Sequence, residues 1–264
     1  MAKGIPSSFG DVRSILHARP VQRSAWYELS RALGFFDAPE TLWDEVLPYC
    51  VDALADWPHE PERTAPNNWV FGKDGRVRHE LHPCLALARR VELHDRLTED
   101  GAVKLIDALR LGLVEHLQIT HAETSQGVFT QLLDATVWGS LRSLRYTAPL
   151  SNDALRRFFS SPLCSELGHI DLSKTGVNDD IMALLAERDD LHRLESLSLN
   201  ENAITRVGVE HLLEMKSLEN LSTLELLCND LEPEDEALFF GESASIRSSV
   251  LDLAWTEYYG DVFE

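Results

Sequence analysis

The sequence is poor in cationic residues and has no long apolar run. Lysine and arginine together number 24 against 44 aspartates and glutamates, which gives a formal net charge of −20. Because phosphate contacts need clustered cations, this balance argues against nucleic-acid and anionic-membrane partners. No stretch approaches the roughly 18 uninterrupted apolar residues of a membrane span. We therefore expect a partner that is neither a nucleic acid nor a membrane.

Cysteine is scarce as well. The four cysteines, Cys50, Cys84, Cys164 and Cys228, lie far apart in the sequence and form no close pair. Residues 1–8 lack the apolar core of a secretory signal. Together these features predict reduced thiols in a cytoplasmic protein.

What the sequence has instead is a repeat. A template of the form Leu-x-x-Leu-x-Leu-x-x-Asn-x-Leu recurs most fully from Leu194 to Ile204 and from Leu221 to Leu231. Its fourth position falls at Val91, Leu117, Leu144, Ile170, Leu197, Leu224 and Leu251. The steps between these positions are 26 or 27 residues. A period this constant over seven units predicts a repeat architecture.

Each unit is predicted to contain a strand, a turn and a helix. Alternating apolar residues mark a short strand with one buried face. The amides of Asn202 and Asn229 can bond the backbone groups that a turn leaves unpaired. Apolar residues at helical spacing follow, for example Val103, Leu105 and Leu109. Because no unit can bury its apolar face alone, the units must stack, with parallel strands on the concave side and helices on the convex side.

This repeat resembles that of the leucine-rich-repeat proteins over about residues 85–255. The 26–27-residue step and the full helix per unit are most similar to the subclass of ribonuclease inhibitor and the Ran GTPase-activating protein, and to bacterial repeat proteins of that type. The resemblance implies an α/β fold, a leucine-rich-repeat solenoid of about six to seven repeats within residues 69–264. The motif is specific for fold and almost silent about function, and no catalytic residue is carried over with it.

Residues 1–68 do not fit the repeat and are predicted to form an α-helical N-terminal capping domain. A first helix carries Trp26 and Leu33 on one face, and Pro48 predicts a kink or break in a second helix. Residues 69–77 then predict a hairpin. Four tryptophans lie in or beside this segment: Trp26, Trp43, Trp57 and Trp69. We interpret them as packing against the first repeat, with a tryptophan-lined binding surface as the alternative.

The strand template also predicts which side chains line the concave face, because the neighbours of buried strand positions point the other way. We predict that the partner-binding surface consists of Glu92, His94, His116, Gln118, Arg145, His169, Asp171, Ser198, Asn200, Glu225, Leu227, Asp252 and Trp255. Adaptable polar residues in a concave array suit a protein surface better than a small substrate. An ordinary solvated sheet face is the simpler alternative.

The sequence contains no motif for catalysis or for a cofactor. It has no Gly-rich phosphate loop, no G-x-S-x-G, no H-E-x-x-H and no C-x-x-C. The run His79-x-x-His82-x-Cys84 has metal-like spacing but no second half. His116 and His169 are expected about 10 Å apart, which is too far for a direct acid–base pair. We predict no catalytic residue, no metal and no cofactor, and therefore not an enzyme.

Negative charge is concentrated in residues 187–264, which hold 5 basic and 19 acidic side chains. This region is either a solvated surface or one that steers a basic partner. We expect a non-catalytic protein-interaction module, a scaffold or adaptor that binds a protein on its concave face and acidic C-terminal edge. The alternatives are a regulator of an enzyme, either a small-GTPase activator or a hydrolase inhibitor, and a self-associating structural protein. Joint charge reversal at Asp171 and Glu225 is expected to weaken binding without altering the melting curve.

Overall fold

A computed structural model describes most of the chain. The described residues are 8–18, 24–36, 39–55, 57, 63–215, 220–236, 238 and 252–253. Within these residues, no helix combines the length and the apolar character that crossing a membrane requires.

Eight short strands form one parallel sheet in chain order. They are β1 (Thr64–Ala65), β2 (Arg90–Leu93), β3 (His116–Ile119), β4 (Ser143–Tyr146), β5 (His169–Asp171), β6 (Ser196–Ser198), β7 (Thr223–Glu225) and β8 (Asp252–Leu253). Each strand pairs only with its sequence neighbours in this sheet, as stacking of successive units requires. The protein is therefore an α/β leucine-rich-repeat solenoid.

Helices follow the strands and cover one face of the sheet. The repeat helices are α5 (Glu99–Ala108), α6 (Gln126–Asp134), α7 (Asn152–Phe159), α8 (Pro162–Glu166), α9 (Asp179–Ala186) and α10 (Arg206–Leu213). Threonine, serine or asparagine side chains cap several of them: Thr98, Ser151 and Asn178 each accept a backbone N–H from the first turn. Short 3₁₀ turns lie at Asn67–Trp69, Pro83–Leu87 and Pro233–Glu236.

Six of the seven predicted strands lie where the template puts them, and the last does not. Val91, Leu117, Leu144, Ile170, Leu197 and Leu224 are register partners from strand to strand. In the last unit Leu224 pairs with Leu253, so the equivalent position is two residues beyond the predicted Leu251. The reason is a longer connection between β7 and β8. Asp252 consequently pairs with Thr223 and not in the row of Glu225.

One strand lies outside the predicted units. β1 pairs with β2 through Thr64 and Arg90 and through Ala65 and Val91, so the sheet begins inside the segment predicted as the helical cap. Ala65 precedes Val91 by 26 residues and therefore keeps the period of the repeat.

The core is a continuous stack of the strand residues that face the helices. Val91, Leu117, Leu144, Ile170 and Leu197 are all at most 4% exposed. The second apolar residues of these five templates are fully buried: Leu93, Ile119, Tyr146, Leu172 and Leu199. Burial of one such side chain contributes about 1.5–3 kcal/mol relative to exposure. The prediction for α5 is partly wrong, because Val103 is 57% exposed. The buried face of this helix uses Gly101, Ala102, Leu105 and Ala108 instead.

Asn202 closes the turn between two units. Its Oδ1 accepts the backbone N–H groups of Thr175, Gly176 and Val177 at 3.1, 2.8 and 3.0 Å. Its Nδ2 donates to the carbonyls of Leu172, Leu199 and Asn200 at 3.0, 2.9 and 3.3 Å. An amide satisfies both needs because it carries an acceptor and two donors on one planar group. Asn229 repeats the arrangement one unit later, donating to Leu199 and Leu226 and accepting from Ile204.

The residue before the asparagine position adopts a left-handed backbone in three successive units. Lys174, Glu201 and Cys228 have φ values of 64°, 54° and 56°. This conformation turns their side chains outward, and Cys228 is exposed while the other three cysteines are buried. All four cysteines are free thiols.

On the helix side, a carboxylate from one unit accepts hydrogen bonds from residues at the start of the next unit's helix. Asp179 of α9 accepts the backbone N–H groups of Thr205 and Gly208 at 2.9 and 3.0 Å, and the Thr205 hydroxyl at 2.7 Å. Glu99 of α5 accepts the hydroxyl of Ser125, before α6, at 3.1 Å. A negative group here also favours the positive end of the helix dipole. The helices approach so closely that a Cβ at Gly208 would lie 2.4 Å from Asp179 Oδ1.

The N-terminal segment folds into helices α1 (Phe9–His17), α2 (Ala25–Gly34), α3 (Pro39–Thr41) and α4 (Leu47–Ala55), as the cap prediction requires. Between α3 and α4, Leu42–Val46 form a π-helical turn. This turn lies next to Pro48, which has no N–H for an α-helical hydrogen bond. The predicted break at Pro48 is thus a local change of helix type within a continuous run.

Tryptophans join the cap to the first units. The Trp26 indole N–H donates to the carbonyl of Thr64 in β1 at 3.0 Å, and the Trp69 ring stacks on His82 with centroids 4.3 Å apart. The guanidinium of Arg110, which follows α5, lies 3.6 Å from the Trp43 ring centroid. Trp57 donates to Leu16 within the cap. Three of the four tryptophans thus contact residues from β1 onward, whereas Trp57 contacts the cap itself. Phe71 and Val77 form the antiparallel bridge of the predicted hairpin.

Candidate functional site

The sheet face that points away from the helices forms a groove across β2–β7. It encloses about 450 Å³ and is lined by both outward-facing residues of most strands. Because parallel strands lie about 4.8 Å apart, the six strands span about 24 Å. Strand register arranges the lining side chains in two rows. The first row contains Arg90, His116, Ser143, His169, Ser196 and Thr223, and the second contains Glu92, Gln118, Arg145, Asp171, Ser198 and Glu225.

A hydrogen-bonded network connects part of the second row to the residues that follow the strands. Arg145 Nε lies 2.8 Å from Asp171 Oδ2, while Asp171 Oδ1 accepts the backbone N–H and the hydroxyl of Ser173 at 3.0 and 2.7 Å. The Ser173 hydroxyl lies 3.0 Å from the Ser198 hydroxyl. Asn200 Nδ2 donates to Ser198 at 3.2 Å. Five neighbouring side chains of the groove therefore form one connected set.

The network continues to β7 and the turn after it. Asn200 Nδ2 donates to Glu225 Oε2 at 3.0 Å, and Asn200 Oδ1 accepts the backbone N–H of Leu227 at 2.7 Å. Ser173 and Ser198 are each 8% exposed. The predicted binding residues Asp171, Ser198 and Asn200 thus form hydrogen bonds within the protein, which the sequence alone did not indicate.

This network changes one expectation from the sequence. Reversal of the Asp171 charge would remove the acceptor of two Ser173 groups and place two cations side by side at Arg145. At this position we therefore expect the melting temperature to fall, in place of the unchanged melting curve expected from the sequence. Among the described residues, the Glu225 carboxylate has one hydrogen bond, from Asn200, so reversal of its charge is the milder change.

At the N-terminal end of the groove, the predicted residues also pair with one another. Arg90 lies 3.6 Å from Glu92, and the His94 ring lies 3.0 Å from the Thr120 hydroxyl. Asn67, in the turn after β1, accepts the backbone N–H of His94 at 3.2 Å. These contacts draw the loops after β1, β2 and β3 together at one edge of the groove.

Eight of the thirteen predicted binding residues line the groove, and three more, His94, Asn200 and Leu227, follow its strands β2, β6 and β7. Ser143 and Ser196 line it as well and are missing from the predicted set, although they occupy outward-facing template positions. Asp252 pairs in the first row, beside Thr223. Trp255 lies outside the described residues.

Among the described residues, the groove shows no arrangement of side chains typical of a catalytic or metal site. His116 and His169 lie two strands apart, on either side of Ser143. No three histidine, cysteine or carboxylate side chains of the described chain come together as metal ligands. His82, from the metal-like run, stacks on Trp69, and its Nδ1 accepts the backbone N–H of Cys84 at 3.2 Å. Burial beside Arg78 lowers the pKa of His82 to about 4.

No family model matches the sequence, and no curated protein matches it. Among solved structures, an internalin from Listeria monocytogenes is 16% identical with a TM-score of 0.38, over 65% of this chain and 42% of the internalin. A protein from Bacteroides fragilis is 12% identical with a TM-score of 0.44, over 65% of this chain and 66% of its own. A leucine-rich-repeat protein from Leptospira interrogans is 15% identical with a TM-score of 0.33, over 60% and 47%. The chain thus spans less than half of the internalin and of the Leptospira protein.

Proposed function

We propose that the protein is a non-catalytic interaction module that binds a protein partner on its concave face and acidic C-terminal edge. In this proposal residues 1–68 act as the cap and residues 69–264 carry the binding surface. The observation that carries the proposal is the groove itself, an open surface of about 450 Å³ whose outward-facing side chains come from six strands and are almost all polar. Sites for small ligands are more enclosed and mostly apolar, whereas a protein surface makes polar and water-mediated contacts over such an area.

The charge of the C-terminal half supports a basic surface on the partner. Glu225 faces the groove, and Asp230, Glu232 and Glu234 lie exposed beyond it. A field of one sign raises the rate of encounter with an oppositely charged partner, and this effect weakens as salt is added. We expect complex formation to slow as ionic strength rises. The cytoplasmic location predicted from the sequence is part of the same proposal.

The experiment is a paired steric block. Ser143→Trp places a large side chain in the middle of the groove, and Ser160→Trp makes the same change at an exposed position at the end of α7. Tagged wild type and both variants are purified from the cells that make the protein, and the retained proteins are identified by mass spectrometry. We expect at least one protein that is retained by wild type and by Ser160→Trp but lost with Ser143→Trp.

Equal retention by all three forms would refute binding on the concave face. The identity of a retained partner also separates the alternatives. A small GTPase whose hydrolysis rate rises on addition of the protein, or a hydrolase whose activity falls, would favour the enzyme regulator. Light scattering at two concentrations tests self-association, for which the mass must increase with concentration.

A further inference from the structure

Polar side chains on the groove floor differ in whether they already have partners. Asp171, Ser198 and Asn200 take part in the network described above. By contrast, the side chains of Gln118, Ser143, His169 and Ser196 form no hydrogen bond or ion pair with any described residue, although all four line the groove. A group that is already bonded must give up that bond to contact a partner, whereas an unbonded group exchanges only water.

Three of these side chains surround Arg145. Gln118 is its register partner in β3, Ser143 precedes it by two residues on the same face of β4, and His169 is the register partner of Ser143 in β5. With strands about 4.8 Å apart and about 3.3 Å between residues, these four side chains originate within about 12 Å of one another. The cluster of Gln118, Ser143, Arg145 and His169 lies at the centre of the groove.

Arg145 is only partly used by its own protein. Its side chain is 50% exposed, and its Nε lies 2.8 Å from Asp171 Oδ2. The guanidinium has further N–H donors, and Arg145 lines the groove. Both oxygens of Asp171 are engaged, one by Arg145 and the other by Ser173. The other charged or titratable groups beside the cluster are His116, which neighbours Ser143, and Glu92, which neighbours Gln118 and lies near Arg90.

The chemistry of the cluster suits an oxyanion. Arginine N–H, glutamine NH₂, serine O–H and imidazole N–H groups all donate, and a guanidinium matches a carboxylate with two parallel hydrogen bonds. Arginine at the centre of an interface is also a frequent hot spot. Asp171 balances the charge of Arg145, so a single negative charge fits better here than the nearly double charge of a phosphate.

We infer that the cluster of Gln118, Ser143, Arg145 and His169 receives an acidic side chain of the partner, while Asp171, Ser198 and Asn200 act as positioning residues that hold Arg145 and the floor in place. This inference rests on the proposed function and adds the contact chemistry at the centre of the groove. The partner then presents an aspartate or glutamate to the cluster and basic groups to the acidic C-terminal half.

The probes are four short Gly-Ser peptides that differ only in a central pair of residues, which is glutamate, glutamine, lysine or phosphoserine. Each is titrated into the isotopically labelled full chain at pH 7 to several millimolar, and NMR follows the side-chain N–H signals of Gln118 and Arg145 and the ring of His169. We expect the glutamate peptide to shift these signals with a dissociation constant of about 1 mM or below, and the glutamine and lysine peptides to leave them unchanged.

Variants separate contact from support. Arg145→Gln should raise the dissociation constant of the glutamate peptide at least about tenfold. Ser143→Ala and His169→Ala should also raise it, without changing the melting temperature. Ser198→Ala should lower the melting temperature and leave the dissociation constant within about twofold. Asp171→Asn removes the competing negative charge while keeping an acceptor for Ser173, and should tighten binding.

Three results would overturn the inference: no shift with the glutamate peptide, equal shifts with the lysine peptide, or binding of the phosphoserine peptide alone. The proposed function fails separately. If Ser143→Trp keeps every partner, the groove is not the binding surface. If Ser143→Trp loses a partner that Arg145→Gln and His169→Ala retain, the groove binds but the acidic contact is wrong.

Discussion

Truncation of Asn202 to alanine tests how the repeat is held together. The substitution removes six hydrogen bonds. Four of them, to Thr175, Gly176, Val177 and Leu172, join two units, and the other two, to Leu199 and Asn200, lie within one unit. The three N–H groups lose their acceptor at a half-buried turn, where water can replace it only in part. A typical net contribution is about 1 kcal/mol per hydrogen bond, and a donor left unpaired on burial costs about 1–3 kcal/mol. We expect the free energy of unfolding to fall by about 3 kcal/mol, counting mainly the three donors.

For a protein of this size, about 3 kcal/mol corresponds to a fall in melting temperature of about 6–12 °C. Urea unfolding followed by circular dichroism measures the free energy, and hydrogen exchange reports directly on the amides of Thr175, Gly176 and Val177. Asn202→Thr is the first comparison, because Thr175 occupies the same template position naturally and donates to the carbonyl of Leu172 at 2.6 Å. It should lose less stability than Asn202→Ala.

Asn68 provides the matched control for the amide. Its side chain is exposed and has no hydrogen bond to a described residue, so Asn68→Ala should change stability by less than about 0.5 kcal/mol. Equal stability of Asn202→Ala and Asn68→Ala would refute this role of Asn202. A fall in stability with unchanged exchange protection of the three amides would refute it as well.

Three further outcomes follow from the packing and from the buried titratable groups. Gly208→Ala should destabilise the protein by about 1–3 kcal/mol in urea unfolding, because the new Cβ would lie 2.4 Å from Asp179 Oδ1. Gly139→Ala is the control and should be nearly neutral, because its Cβ would have nothing within 4 Å. The pKa of His82 is lowered to about 4 by burial, so the folded state binds fewer protons than the unfolded state. Stability should therefore fall by about 3 kcal/mol as pH drops from about 6.5 to 4, and His82→Gln should remove this dependence. With a thiol reagent at pH 8, Cys228 alone should react in the native protein, because burial raises the thiol pKa of the other three cysteines; all four should react in urea.

The period of the leucines predicted most of the fold, because a buried strand position recurs in every unit and leaves a strong trace in the sequence. β1 escaped prediction since a two-residue strand between Arg63 and Pro66 carries no leucine template, although Ala65 keeps the 26-residue step. The last unit was misplaced by two residues because Leu251 and Leu253 fit the alternation equally well, and only pairing decides between them.

Outward-facing positions of the groove were predictable from alternation, whereas their contacts were not. Alternation gives the face of a residue and says nothing about its rotamer or its hydrogen bonds. For example, the ion pair of Arg145 and Asp171 joins neighbouring units across 26 residues of sequence. The hydrogen bond from Ser173 to Asp171 spans only two residues. No pattern of residue types distinguishes Asp171, which is engaged, from Gln118, which is not.

The contacts between successive units run in opposite directions on the two sides of the solenoid. On the strand side, Asn202 accepts backbone N–H groups of the unit before it. On the helix side, Asp179 accepts backbone N–H groups at the helix start of the unit after it. The unit that contains Asn202 consequently depends on both neighbours, because Asn229 of the following unit also accepts the backbone N–H of Ile204. Where units carry both contacts, the array can lengthen or shorten by duplication or deletion of a complete period, since the new junction regains both of them. A deletion that ends within a period would remove the partner of one of these contacts. Whole repeat units are therefore the natural step by which such a chain evolves or can be redesigned.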